Sequence, residues 1–151
     1  MVQEPIVKKL ILAIFPPGND RTSLSNIFSD SDWKLQFTHS LRQFRAALKK
    51  DSVQLVMSEA RLMDGHCWKD LLRELENMSP PPPLIVADRL ADEALWAEVL
   101  NLGAYDLLIK PFDAKEVLHV VNMAWRFHRG AKPANSEPHA APARTAQATS
   151  C

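Results

Sequence analysis

Gly103-Ala104-Tyr105-Asp106-Leu107-Leu108-Ile109-Lys110-Pro111-Phe112 packs a helix stop, a strand and a turn into one short stretch. Gly103 closes the apolar-periodic run from Ala91 to Leu102, since a glycine enters the left-handed cap conformation without a Cβ penalty. Tyr105 to Ile109 is short and mostly apolar and reads as a strand. Pro111 has no N–H for a ladder and ends it. Asp113 then caps a last helix, with Glu116 as its capping-box partner, running through Val117, Val120, Val121 and Trp125 to about His128.

The same unit recurs upstream. Leu10 to Phe15 is a continuous apolar run stopped by Pro16-Pro17-Gly18-Asn19, and Leu24, Ile27 and Phe28 follow at helical spacing with Asn19 or Asp20 as cap. Trp33 to Phe37 alternates apolar and polar as a strand does. Ser40, with Gln43 as capping-box partner, opens a helix striped by Leu41, Phe44, Ala47 and Leu48. Val53 to Met57 is a third strand, Asp64-Gly65 a turn, and Trp68, Leu71, Leu72 and Leu75 a helix that Pro80 to Pro83 ends. Leu84 to Ala87 is a fourth strand. Five strand–helix repeats predict an α/β fold, a (βα)5 doubly wound parallel sheet in the flavodoxin-like order 2-1-3-4-5. Functional residues are then expected at the carboxyl ends of the strands, near Phe15, His39, Met57 to Glu59, Ala87 and Lys110.

The chain has 151 residues, 46% of them hydrophobic, which suits one domain with length to spare. From Gly130 the composition turns to Ala, Pro, Ser and Thr, too polar to build a core. Residues 1–129 are read as the domain and 130–151 as a disordered Ala/Pro-rich tail. Eighteen basic residues balance eighteen acidic ones, so nothing electrostatic argues for nucleic acid or an anionic membrane as partner. No apolar run is long enough to span a bilayer, and the N-terminus lacks a signal-peptide layout. Cys67 and Cys151 differ in context and are read as unpaired, which with the rest predicts a cytoplasmic protein.

Three features together resemble the response-regulator receiver domains of two-component phosphorelay signalling: the Gly103–Phe112 stretch, the Met63-Asp64-Gly65 turn, and the fivefold βα order over about residues 8–128. The resemblance implies a signalling module, not an enzyme. It also implies a set of pocket residues. An aspartate ending the third strand takes the phosphoryl group, an acidic pair ending the first strand holds magnesium, and a Ser or Thr ending the fourth strand and a lysine ending the fifth contact the phosphoryl oxygens. Metal and cation are needed there because carboxylate attack on phosphorus requires the oxygens' charge to be offset.

Carried over residue by residue, the lysine falls on Lys110, within Lys110-Pro111-Phe112, where the resemblance implies a cis Lys-Pro bond. The acidic pair falls on Phe15 and Pro16, the hydroxyl on Ala87, and the nearest first-strand carboxylate is Asp20. The acceptor position falls on Met57 by ungapped counting and on Glu59 by following the strand pattern. Glu59 is preferred as the only acid there, although its extra methylene displaces the attacking oxygen. A pocket so altered predicts a pseudo-receiver that works by protein contacts and takes no Mg2+ or other cofactor, with Glu59 placing a permanent negative charge near Lys110. The alternative is a receiver phosphorylated unconventionally on Glu59 or Asp64. From another class, a small flavodoxin-like ligand binder or enzyme is weighed against both, but Pro16-Pro17-Gly18-Asn19 lacks the glycine and hydroxyl pattern of a phosphate loop.

Asp64, His66 and Cys67 match no zinc spacing and read as turn and helix-start residues. His119 and His128 point to different faces of the last helix. Leu95, Trp96 and Val99 make the fourth helix apolar on most sides, which means deep burial or an interface. With Tyr105 they are the interface candidates. The resemblance implies that partners, such as a histidine kinase or a transcriptional regulator, or a second copy, meet the face of the fourth helix, fifth strand and fifth helix.

Overall fold

The computed structural model describes residues 9–130, with side chains up to residue 127. Five strands alternate with five helices: β1 (Lys9–Ile14), α1 (Asn19–Phe28), β2 (Trp33–Thr38), α2 (Leu41–Lys50), β3 (Leu55–Glu59), α3 (Trp68–Leu75), β4 (Leu84–Asp88), α4 (Glu93–Leu102), β5 (Asp106–Ile109) and α5 (Ala114–Gly130). The strands form one parallel sheet in the order β2-β1-β3-β4-β5, as the sequence predicts. α5 includes Gly130, one residue past the expected domain end; the rest of the expected tail lies outside the described residues, as does the side chain of His128.

Strand alternation sends neighbouring side chains to opposite faces, and the core divides accordingly. Leu12, Ile14, Val56, Leu84 and Val86 pack with Leu41 and Phe44 of α2, Trp68, Leu71 and Leu75 of α3, and Val99 of α4. Ile11, Ala13, Leu55, Met57, Ile85, Ala87 and Leu108 pack with Leu24 and Phe28 of α1 and Val117, Val121 and Ala124 of α5. Each fully buried Leu, Ile or Phe in these layers contributes about 1.5–3 kcal/mol of transfer free energy. At the amino edge of the sheet, Trp33 Nε1 donates to Asn122 Oδ1 (3.1 Å) and Trp33 meets Trp125 edge to face at 5.9 Å, fastening α5 to β2.

Helix ends follow the local chemistry closely. Ser40 Oγ accepts from the Gln43 amide (3.1 Å), while Gln43 Oε1 accepts from the His39 amide (3.0 Å). Asp113 Oδ2 accepts from the Glu116 amide (2.9 Å), and Gly103 closes α4 at φ 111°. Three of the boundaries that differ from expectation have clear local causes. α3 stops at Leu75, before Pro80, because Asn77 and Met78 turn back onto the Glu74 and Leu75 carbonyls. α1 is capped by Gly18 with no side-chain bond, so Asn19 and Asp20 lie inside its first turn. β3 starts at Leu55, since the Gln54 side chain leaves the ladder to accept from the Leu10 amide (2.8 Å).

Candidate functional site

Residues 55, 57 and 59 of β3 share one face, so Glu59 emerges at the strand end on the side where α1 and α5 pack. Met57 is buried within the strand, and its thioether lies in the core. Across the ladder Glu59 is in register with Ala87, whose methyl is fully buried. Lys110 follows β5 directly, its amide donating to the Asp88 carbonyl (3.1 Å), and the Lys110-Pro111 peptide is cis.

These elements bring three charges together. Lys110 Nζ donates to Asp20 Oδ2 at 2.8 Å and to Glu59 Oε2 at 3.1 Å. The lysine side chain is 7% exposed, and the two carboxylates about one fifth exposed. Phe15, fully buried, lies beneath, with its ring centroid 5.7 Å from the ammonium and its edge against Phe112 at 6.1 Å. An ammonium in such a place is stable only if paired, and it has two partners. In the sequence Asp20 stands out only as the carboxylate nearest the Phe15 and Pro16 positions. Nothing local marks it as Lys110's partner: 90 residues separate them, and the first turn of α1 supplies the reach.

The surrounding oxygens are also engaged. Arg21 Nε donates to the Phe15 carbonyl (2.9 Å), with its guanidinium over the Phe37 ring at 4.9 Å. Ser58 Oγ donates to the Glu59 carbonyl (3.0 Å). The Ala87 carbonyl accepts from the Ala60 amide (3.1 Å). A shallow depression lies beside Glu59, lined by Ile14, Phe15, Pro16, His39, Leu62 and Met63. Arg21 was missed by sequence reasoning; a lone arginine on an amphipathic helix carries no signal of its own.

Asp64 belongs to a different arrangement. Its Oδ2 accepts from the Leu41 amide at the start of α2 (2.9 Å), and its Oδ1 from the His66 amide (3.1 Å) and faces His66 Nδ1 (3.1 Å). Burial by itself pushes this carboxyl up, but the Leu41 bond, then the His66 bonds and charge, outweigh it and hold it below 3.8. Asp64 thus caps a helix in trans. Cys67 caps α3, its amide donating to Asp70 Oδ2 at 3.0 Å.

The interface candidates separate. Val99 is fully buried and belongs to the core, which corrects its place among them; a helix apolar on most sides does not reveal in sequence which stripe faces the sheet. Leu95 is partly buried against the same layer. Trp96 is 49% exposed. Tyr105 is half-buried against Phe127 (6.2 Å), and burial, then the Asp106 charge, push its phenol above 10.0. Leu90, Leu102, Ile109, Met123 and Phe127 are exposed nearby in sequence on α4, β5, α5 and the β4–α4 turn. His119 is exposed. Among the described residues no helix is long and apolar enough to cross a membrane.

The profile described as response regulator receiver domain matches residues 19–122, beginning after Phe15 and Pro16. The chain is 29% identical over 119 residues to the C4-dicarboxylate transport transcriptional regulatory protein DctD of Pseudomonas aeruginosa, covering 79% of this chain and 26% of DctD. It is 27% identical over 106 residues to the transcriptional regulatory protein FixJ of Bradyrhizobium diazoefficiens, covering 70% of this chain and 51% of FixJ. It therefore spans about half or less of these curated relatives. The signal receiver domain of an HD domain-containing protein from Pseudomonas fluorescens Pf-5 superposes with a TM-score of 0.70 at 26% identity, over 80% of this chain and 96% of that one. A two-component response regulator from Clostridium difficile, at 17% identity, shares the fold with a TM-score of 0.71 over 81% and 99%.

Proposed function

Because the chain belongs to the response regulator receiver domain family of two-component systems, we propose that it is a pseudo-receiver, which signals through protein contacts without taking a phosphoryl group in the usual way. The observation that carries this reading is the buried Lys110 ammonium, already bonded to both Glu59 and Asp20. A phosphoryl group would need that lysine's charge, and the lysine is satisfied. The candidate attacking oxygen of Glu59 is itself held at 3.1 Å by the ammonium. Ala87 offers no hydroxyl, and Phe15 and Pro16 offer no carboxylate. Asp64, the other acceptor considered, has both oxygens committed to capping and turn bonds. Glu59 instead keeps a fixed negative charge beside Lys110, where a phosphorylated relative would carry one.

The contact surface in this reading is the face of α4, β5 and α5, which carries Trp96, Ile109 and Phe127 as exposed apolar groups. Its occupant is a protein, either a second copy or a kinase or transcriptional regulator of the same pathway, as DctD and FixJ suggest by being transcriptional regulatory proteins. Incubation with acetyl phosphate and magnesium, read by intact mass, tests the pocket. No added phosphoryl mass is expected; an increment lost in Glu59→Ala or Asp64→Ala would refute the reading. Trp96→Asp is expected to abolish self-association or partner capture while leaving the fold intact by circular dichroism.

A further inference from the structure

The family implies a magnesium ion at the carboxyl edge of the sheet, and the residues present can be tested against that ion. A hard divalent cation wants about six oxygens in a close shell. Here the acidic-pair positions hold Phe15 and Pro16. Of the carboxylates at this edge, Asp20 and Glu59 each spend an oxygen on Lys110, and Asp88, which ends β4, spends one on the Leu90 amide. The Phe15 carbonyl is spent on Arg21 and the Glu59 carbonyl on Ser58. Among the described residues no three His, Cys, Asp or Glu side chains gather where a metal could be held. Lys110 is already bonded to both Asp20 and Glu59, and Arg21 Nε is given to the Phe15 carbonyl. With Lys110 in place the residues do not fit the ion.

The geometry nevertheless retains a cation position. Asp20 Oδ2 and Glu59 Oε2 converge from different elements on one point, and Lys110 Nζ occupies it at 2.8 and 3.1 Å. We propose that Lys110 is a resident counter-ion standing where the two carboxylates would otherwise gather a divalent cation, that Asp20 of α1 is the positioning residue which holds it there, and that the protein is consequently indifferent to magnesium. Lys110 in this role links α1, β3 and the end of β5 with one ammonium. This inference deepens the pseudo-receiver reading and rests on it.

The test uses the full chain and Mn2+ as probe, by electron paramagnetic resonance of the free ion and by thermal unfolding at constant ionic strength. The wild type is expected to bind no Mn2+ and to show no saturable change in Tm. Lys110→Met, or Lys110→Gln should the first fail to fold, is expected to bind Mn2+ and to gain about 4–6 °C at about ten times the dissociation constant. Adding Asp20→Asn or Glu59→Gln to either variant should remove the gain. Saturable Mn2+ binding by the wild type, lost in Glu59→Gln, would overturn the proposal, as would a folded Lys110 variant that ignores Mn2+. If neither variant folds, the wild-type titration decides alone. Wild-type Mn2+ binding without phosphorylation by acetyl phosphate defeats this inference only; phosphorylation defeats the pseudo-receiver reading as well.

Discussion

Replacing Asp20 by Asn and Glu59 by Gln, singly and together, removes charge from the Lys110 cluster while keeping side-chain shape and a carbonyl acceptor. The geometry sets the expected sizes. A hydrogen bond to a charged group is worth about 1.5–3 kcal/mol. Each carboxylate is about one fifth exposed, so water partly replaces what is lost. In either single variant Lys110 also keeps its other counter-ion, at 2.8 or 3.1 Å. About 1–2 kcal/mol of destabilisation is therefore expected for each single change. The double variant differs in kind. An ammonium whose side chain is only 7% exposed is left with no anion, and a buried charge stripped of its partner costs about 3–5 kcal/mol. The two changes should thus be non-additive, the double exceeding the sum of the singles by about 1 kcal/mol. Urea unfolding at neutral pH, followed by tryptophan fluorescence and circular dichroism, measures the cycle, provided the m-value stays constant. Additivity within about 0.5 kcal/mol, or single variants indistinguishable from wild type, would refute the claim that the carboxylates share one buried cation.

Asp64 predicts a pH dependence. Its folded pKa is depressed below 3.8, so its contribution is complete by about pH 5 and is lost as pH falls through the folded value. The stability advantage of wild type over Asp64→Asn, from urea midpoints at stepped pH, should shrink only in that acid window, and Asp64→Ala should cost about 1 kcal/mol at neutral pH, as loss of a helix cap does. Tyr105 is the only tyrosine, so phenolate absorbance reports it alone; its midpoint should lie above 10.0 and fall toward that value in Phe127→Ala, which uncovers the ring. Leu71→Ala, in the layer under α3, should cost about 2–5 kcal/mol by chemical unfolding, with a result below 1 kcal/mol contradicting its place in the core.

The alternation of strands and helices, their parallel arrangement and most of their ends were determined by the sequence alone. Those features arise from short-range causes: apolar period, the caps at Ser40 and Asp113, Gly103 at a positive φ, prolines that cannot donate. The identity of Lys110 as the lysine of the carboxyl edge was legible for the same reason, since it directly follows a strand. What it bonds to was only half legible. Glu59 could be nominated because it is the only acid at the end of the third strand, whereas Asp20 became its companion only when the crossover brought the first turn of α1 to the lysine that follows β5. Tertiary structure likewise decided that Val99 is core while Trp96, three residues away, is exposed, because an all-round apolar helix carries no label for its inner stripe. It decided that Asp64 caps α2 across 23 residues, where the sequence offered only a turn. Local sterics and periodicity act within a few residues; the pairing of charges depends on where packed elements bring their ends together, and that is set by the whole sheet.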